Sequence, residues 1–296
     1  MTISASQVKE LRDLSGAGMM ECKSALVEAD GDISIAQDLL RKRGQSSADK
    51  KSARIAAEGR IAFAQSDDAK RAVLVEVNSE TDFVARDENF SNFAAALANA
   101  ALELSGNQPS VDALLATNSK GGGTLNEARV ELVAKIGENI GVRRFERLQA
   151  AGEIGHYLHQ GSRIGVIVDI TGGDAELHKD VAMHIAASAP VCIAKEDVPK
   201  EQLEREQTFL TEQAQQEGKP PEIVAKMVEG RMRKYLGEIT LLGQPFVKDP
   251  DITVEKLLNQ HEASINSFAR FEVGEGIEKK AENFAEEVKA QIDATS

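Results

Sequence analysis

One pattern runs through the middle of this chain twice, and it constrains the fold more than any other feature. Val73, Val75 and Val77 alternate with Leu74, Glu76 and Asn78 at the two-residue period of a strand. A helix follows, with Phe90, Phe93, Leu97, Ala101 and Leu104 on one stripe. The same order returns from residue 164 to 170, where an apolar strand leads through Gly172 and Gly173 to a second helix carrying Val181 and Ile185. Both passages also close alike. Arg144-Phe145-Glu146 follows Asn139-Ile140-Gly141 as Arg270-Phe271-Glu272 follows Ile265-Asn266, and helical stretches at 126–136 and 253–261 precede them. The simplest account is an α+β protein with two related core halves, the first over 61–150 and the second over 151–194 joined with 240–273.

The interruption of the second half, residues 195–239, reads as an antiparallel helical hairpin. Leu203, Leu210 and Ala214 mark one helix; Ile223 with Met227, or Val224 with Val228, and then Tyr235 mark the other, with Gly218-Lys219-Pro220-Pro221 turning between them. The apolar stripe is wider than the pairing of two helices requires, which predicts a second helix pair against it, as in a homodimer. Ahead of the duplicated region, residues 1–45 read as three short helices. Ser4 and Gln7 stand at capping-box spacing before Val8, Leu11 and Leu14, and Ser15-Gly16-Ala17-Gly18 stops the first helix. Cys22, Ala25, Leu26 and Ala29 face inward on the second; Asp32 caps the third, where Ile33, Ala36, Leu39 and Leu40 face inward up to Arg41-Lys42-Arg43-Gly44. So small a core suits presenting a surface better than housing chemistry. Residues 46–60 read as a solvated basic linker, and 274–296, with Phe284 and Val288 among many charges, as a short amphipathic C-terminal helix.

Composition narrows the partners. Forty-eight acidic against 35 basic residues leave a net charge of −13, which argues against general binding to a phosphate backbone, so no direct nucleic-acid ligand is expected. No apolar run approaches the roughly 20 residues of a membrane span, and Met1-Thr2-Ile3-Ser4 runs into Lys9, Glu10, Arg12 and Asp13 without a hydrophobic signal core, so a cytoplasmic protein off the membrane is expected. The two cysteines, Cys22 and Cys192, are far apart and outside any C-x-x-C pair, which argues against a disulfide or a Cys-based zinc site.

Covalent catalysis finds no candidate. Among the five histidines only His156 and His159 have a spacing that could place two rings on one helical face, and no carboxylate or cysteine nearby completes a metal site. Gly121-Gly122-Gly123 lacks the Lys-Ser/Thr of a phosphate loop, and no serine sits in a Gly-x-Ser-x-Gly elbow. No cofactor and no metal are expected. Two segments stand above this background. In the first, Met19 and Met20 follow the Ser15-Gly16-Ala17-Gly18 turn and precede Glu21-Cys22-Lys23; pattern alone makes the methionines core filler. In the second, Glu80-Thr81-Asp82-Phe83-Val84-Ala85-Arg86 ends a strand, and Phe83, seven residues before Phe90, reads on pattern alone as the first knob of the helix stripe.

Both segments resemble the signature motifs of the elongation factor Ts family, guanine-nucleotide exchange factors for the translational GTPase elongation factor Tu. The likeness continues through Met183-His184-Ile185-Ala186-Ala187-Ser188, Met227-Val228-Glu229-Gly230-Arg231-Met232 and Arg270-Phe271-Glu272-Val273-Gly274-Glu275-Gly276-Ile277-Glu278-Lys279, and so covers essentially the whole chain. The resemblance implies a ubiquitin-associated-like N-terminal module, a duplicated core and a dimerising hairpin. It implies that Thr81, Asp82, Phe83 and Val84 enter the GTPase near its Mg²⁺ site, disturbing metal and phosphate contacts so that GDP leaves. It assigns Arg12, Met19, Met20 and Lys23 to the grip on a helix of the GTPase domain, and His159, within Tyr157-Leu158-His159-Gln160-Gly161, to the edge of the same interface. The chain would then be an exchange factor and not an enzyme. Two rival readings are a scaffold whose three-helix unit recruits a ubiquitin-like partner, and a metal-dependent hydrolase built on His156 and His159.

Overall fold

The computed structural model of the protein describes residues 3–106 and 109–278. Helix α1 (Ala5–Ser15) begins at a complete capping box, with the Ser4 hydroxyl accepting the Gln7 N–H at 3.2 Å and the Gln7 side chain accepting the Ser4 N–H at 3.1 Å. It ends at Gly16, whose φ of 66° is open to glycine at little cost. Helices α2 (Met19–Glu28) and α3 (Ile33–Lys51) follow, the latter capped by Asp32 on the Ile35 N–H at 2.9 Å. Val8, Leu11, Cys22, Ala25, Leu26, Ala29 and Ala36 close a small core between the three. Leu14 does not join it and is 58% exposed. A strict three-residue step falls about 60° short of a full turn each time at 3.6 residues per turn, so Leu14 has drifted off the face that Val8 and Leu11 share.

The first core half runs β1 (Glu58–Gln65), β2 (Arg71–Ser79), the four-residue helix α4 (Asp82–Ala85), α5 (Glu88–Glu103), α6 (Val111–Leu115), α7 (Leu125–Ile136) and β3 (Ile140–Gln149). Its antiparallel sheet has the order β1-β2-β3. Phe90, Phe93, Leu97 and Ala101 of α5 pack on Val73, Val75 and Val77 of β2, as the helical stripe requires. The expected linker at 46–60 is different in the structure. Helix α3 continues through Gly44 to Lys51, and β1 begins at Glu58. Gly44 is buried against α7, where an added Cβ would lie 3.7 Å from both Val130 Cγ1 and Ala134 Cβ. A glycine that reads as a helix stop is here the point of closest approach between two helices, and tertiary packing outweighs its roughly 1 kcal/mol propensity cost. Arg41 adds an ion pair to Glu127 of α7, so the three-helix unit is docked on the core.

The second half repeats the order with β4 (Glu153–Leu158), β5 (Ile164–Thr171) and α8 (Ala175–Ser188), then the hairpin helices α9 (Lys200–Gln216) and α10 (Pro221–Ile239), the short pair β6 (Pro245–Phe246) and β7 (Asp249–Thr253), α11 (Val254–Gln260) and β8 (Ser264–Glu272). Its sheet has the order β4-β5-β8. In the hairpin, Leu210 and Ala214 bury against Val224 and Val228, while Ile223 is 48% exposed, so the Val224 face is the inward one. Residues 279–296 of the expected C-terminal helix lie outside the described residues, and 274–278 are not helical, with 274–276 in a turn. Among the described residues no helix is long and apolar enough to cross a membrane.

Each half therefore opens with a hairpin whose first strand the repeat pattern did not announce. The halves align on their irregularities: β2 slips register on β3 between Glu76 and Val77, and β5 slips on β8 between Asp169 and Ile170. Glu76 faces Arg144 and Asp169 faces Ser267, so Phe145 corresponds to Phe268 and Arg147 to Arg270. The repeated Arg-Phe-Glu triplets are thus three residues out of register. What repeats physically is the arginine: Arg147 reaches the carbonyls of Leu104 and Gly106 past the end of α5, and Arg270 Nε donates to the Ala186 carbonyl in the last turn of α8 at 3.3 Å. Ile61, Leu74 and Leu148 of one half meet their counterparts Ile154, Ile167 and Phe271 in a core between the two sheets. This second face buries Leu74 and Glu76 completely, which makes β2 a strand covered on both sides. The sheets touch closely enough that a Cβ on Gly165 would lie 2.6 Å from Ile61 Cγ2.

Candidate functional site

The duplication isolates the segment after β2. Ten residues separate Glu76 from Asp87, the cap of α5, whereas four separate Asp169 from Asp174, the cap of α8. The first half thus carries six additional residues, and they hold α4. Thr81 stands at the N-cap of α4, Val84 turns into the core at 9% exposure, and Phe83 is left 80% exposed. Phe83 is therefore not the first knob of the α5 stripe, which begins with the fully buried Phe90. The reason is geometric: residues 86–87 break the helix between them, so a spacing of seven carries no common face. Asp82 pairs with Arg86 at 2.9 Å across this turn, both side chains well exposed.

Beneath the turn lies a polar cradle that no sequence pattern marks. Glu138, in the turn from α7 to β3, accepts the Thr81 N–H on Oε2 at 3.0 Å and the Thr81 hydroxyl on Oε1 at 2.7 Å. The neighbouring Asn139 donates its N–H to Glu80 Oε1 at 2.6 Å and its side-chain amide to the Arg54 carbonyl at 2.8 Å. The tip is thus tied to β3 on one side and to the exit from α3 on the other. One turn of strand earlier, Glu76 is fully buried and accepts from Arg144 at 2.6 Å, Arg143 at 3.1 Å, Asn78 at 3.1 Å and the Gly274 N–H at 2.9 Å. Burial alone would raise its pKa, but the bonds from Gly274, Arg144, Asn78 and Arg143 outweigh it and hold the carboxyl below its ordinary value.

On the three-helix unit, Met19 is 59% and Met20 76% exposed, so they are surface residues and not core filler. Arg12 and Lys23 are exposed as well. Among the described methionines these two alone are exposed; Met183, Met227 and Met232 are half-buried. His159 is exposed just beyond β4, with its Nδ1 3.4 Å from the Tyr157 hydroxyl. His156 lies within β4 and stacks on Phe63 at 4.1 Å between ring centroids. The spacing that would align His156 and His159 on a helix does not do so on a strand, where positions three apart point to opposite faces. The shared helical face is thus corrected. Among the described residues no group of three or more His, Cys, Asp or Glu could hold a metal ion. His184 is consumed structurally: Nδ1 accepts the Val247 N–H at 3.2 Å and Nε2 meets Gln244 Oε1 at 3.0 Å, and burial pushes its pKa down against the opposing bond to Gln244.

The comparisons with known proteins agree with one another. A family model described as Elongation factor TS matches residues 80–275. The elongation factor Ts of Thioalkalivibrio sulfidiphilus (strain HL-EbGR7) is 59% identical over 293 residues, covering 98% of this chain and 99% of its own. That of Methylococcus capsulatus is 57% identical over 296 residues, the whole of both chains, and that of Halorhodospira halophila 55% over 292 residues, 99% of each. The family match opens at Glu80, within the turn that carries Phe83, and the relatives extend the likeness over the three-helix unit.

Proposed function

The chain belongs to the elongation factor Ts family of translation elongation factors, and from that premise we propose that it binds elongation factor Tu in its GDP state and accelerates GDP release. The observation that carries this reading is Phe83, a large apolar side chain displayed to solvent on a short helix that the other half of the duplicated core lacks. Thr81, Asp82 and Phe83 form the tip that enters the GTPase beside its Mg²⁺ and phosphate site, while Val84, expected in that contact, is buried in the core and anchors the turn instead. Arg12, Met19, Met20 and Lys23 form a second grip, and the exposed His159, on the second core half, is the proposed contact from the core. No bond is made or broken by this chain: its work is differential affinity, because a factor shifts an equilibrium only by binding one state better than the other. Stopped-flow release of fluorescent GDP from elongation factor Tu tests the proposal. Release should accelerate by orders of magnitude with added chain; tight binding without acceleration would leave only a scaffold of the kind that recruits a ubiquitin-like partner.

The hairpin is the proposed homodimer contact. Its two helices leave a groove of about 890 Å³ lined by Leu203, Val224, Val228, Met232 and Leu236 among others. Its stems are already paired: Leu241 N–H donates to the Cys192 carbonyl at 2.9 Å and Leu242 N–H to the Ile193 carbonyl at 3.0 Å. Replacing residues 195–239 by a short glycine linker should therefore leave the core folded and lower the sedimenting mass to that of a monomer. A deletion that sediments as the same oligomer, or a wild type that remains monomeric at high concentration, would remove the hairpin from this role.

A further inference from the structure

We propose that Glu138 is a positioning residue for exchange, holding the Phe83 turn in the orientation in which it meets the GTPase; the proposal rests on the reading of Phe83 as the inserted side chain. Glu138 is half-buried and sits in the turn between α7 and β3, outside the segment it controls. Its two oxygens take both polar hydrogens that Thr81 offers, at 3.0 and 2.7 Å. Thr81 makes no side-chain cap bond to α4, and its hydroxyl is given to this carboxylate instead. A bidentate hold on one residue fixes rotation as well as distance, which a single bond cannot do. Thr81 is also the hinge of the turn: before it the chain is strand-paired through Ser79, and after it the four residues of α4 carry Phe83 outward. The adjoining Asn139 bonds to Glu80 and Arg54 tie the same point to the exit from the three-helix unit, so both proposed grips share one reference frame.

A tip held in this way meets its target without first losing the entropy of a mobile loop. Misplacement by about 1 Å can cost up to two orders of magnitude in a positioned process. Losing the hold should therefore appear in the maximal release rate more than in the concentration of factor that half-saturates it, because the three-helix grip is untouched. In Glu138→Ala, GDP release at saturating factor should fall about tenfold, with half-saturation little changed and the thermal melt near that of the wild type. Glu138→Gln should recover most of the rate, since its amide oxygen still accepts the Thr81 N–H and its NH₂ can donate to the Thr81 oxygen. Thr81→Val, which removes the hydroxyl alone, should lower the maximum in the same sense and carries the test if Glu138→Ala folds poorly. The double variant Phe83→Ala/Glu138→Ala should release GDP no more slowly than Phe83→Ala alone. Wild-type release by Glu138→Ala together with slow release by Phe83→Ala would overturn the positioning role and leave the wedge intact. Multiplying defects in the double variant would also overturn it, by placing the action of Glu138 elsewhere. Wild-type release by Phe83→Ala would bring down the parent reading and this one with it.

Discussion

Phe83→Ala should melt within a few degrees of the wild type and yet release GDP from elongation factor Tu roughly 10- to 150-fold more slowly at saturating factor. The range follows from about 1.5 to 3 kcal/mol for burying a phenylalanine side chain, at 1.36 kcal/mol per tenfold in rate. A core phenylalanine would behave in the opposite way, costing about 3 to 5 kcal/mol of stability through lost transfer energy and a cavity. With 80% of the side chain exposed there is little core contact to lose. A thousandfold acceleration would require about 4 kcal/mol of differential binding, so Phe83 cannot supply all of it, and the three-helix grip has to contribute the rest. Excess Mg²⁺ should oppose the wild-type factor, since a ligand and a factor that each weaken the other do so by the same ratio. Melts and release rates on one preparation of each variant decide the matter; a variant that is badly destabilised but exchanges normally would return Phe83 to a packing role.

Local chemistry is what the sequence makes legible. The Ser4–Gln7 box, the Asp32 cap and the Phe90, Phe93, Leu97 and Ala101 stripe depend on residues within a turn or two of one another, and each is found as read. The features that escaped depend on partners far along the chain. Gly44 reads as a stop until Val130 and Ala134 of α7 are set against it. The Arg-Phe-Glu triplets read as equivalent until the register slips at Glu76 and Asp169 place them three residues apart. His156 and His159 read as a helical pair because spacing carries no information on which period applies; Phe63, 93 residues upstream of His156, is what fixes that ring. Glu138 lies 57 residues from Thr81 and has no neighbour that would single it out. The exposure of Met19, Met20 and Phe83 could not be read from periodicity either, since apolar spacing is the same for a residue that packs inward and one kept free for a partner.

The two halves share one fold, and two of their departures from it carry proposed contacts: α4 enlarges the connection after β2, and α9 and α10 enlarge the connection after α8. A duplicated scaffold stays stable while such insertions accumulate because the shared core between Ile61, Leu74, Ile154 and Ile167 is touched by neither. The insertions then inherit rigidity from the sheets at their roots.

The largest loss of stability is expected at the junction that joins those sheets to the end of β8. Glu76 is fully buried, while Arg143 and Arg144 keep about a third of their side chains exposed at 30% and 33%. Arg144 also lies over the Phe271 ring at 4.3 Å and reaches Glu275 at 3.1 Å, so one carboxylate organises β2, β3 and the turn after β8. Removing one member of a buried ion pair costs about 3 to 5 kcal/mol. Partial hydration of the two arginines places Glu76→Gln near the lower end, about 3 kcal/mol, or about 6 to 12 °C in melting temperature for a chain of this size. The pH dependence identifies the cause. A carboxyl whose pKa is depressed on folding contributes stability that is present above its unfolded value, near 4.3, and is lost as pH falls through the lower folded value. Urea midpoints of wild type and Glu76→Gln should therefore differ most at neutral pH and converge as the medium is acidified below about pH 4. A gap that stays constant down to pH 3 would show that packing of the side chain, and not its charge, holds the two halves together.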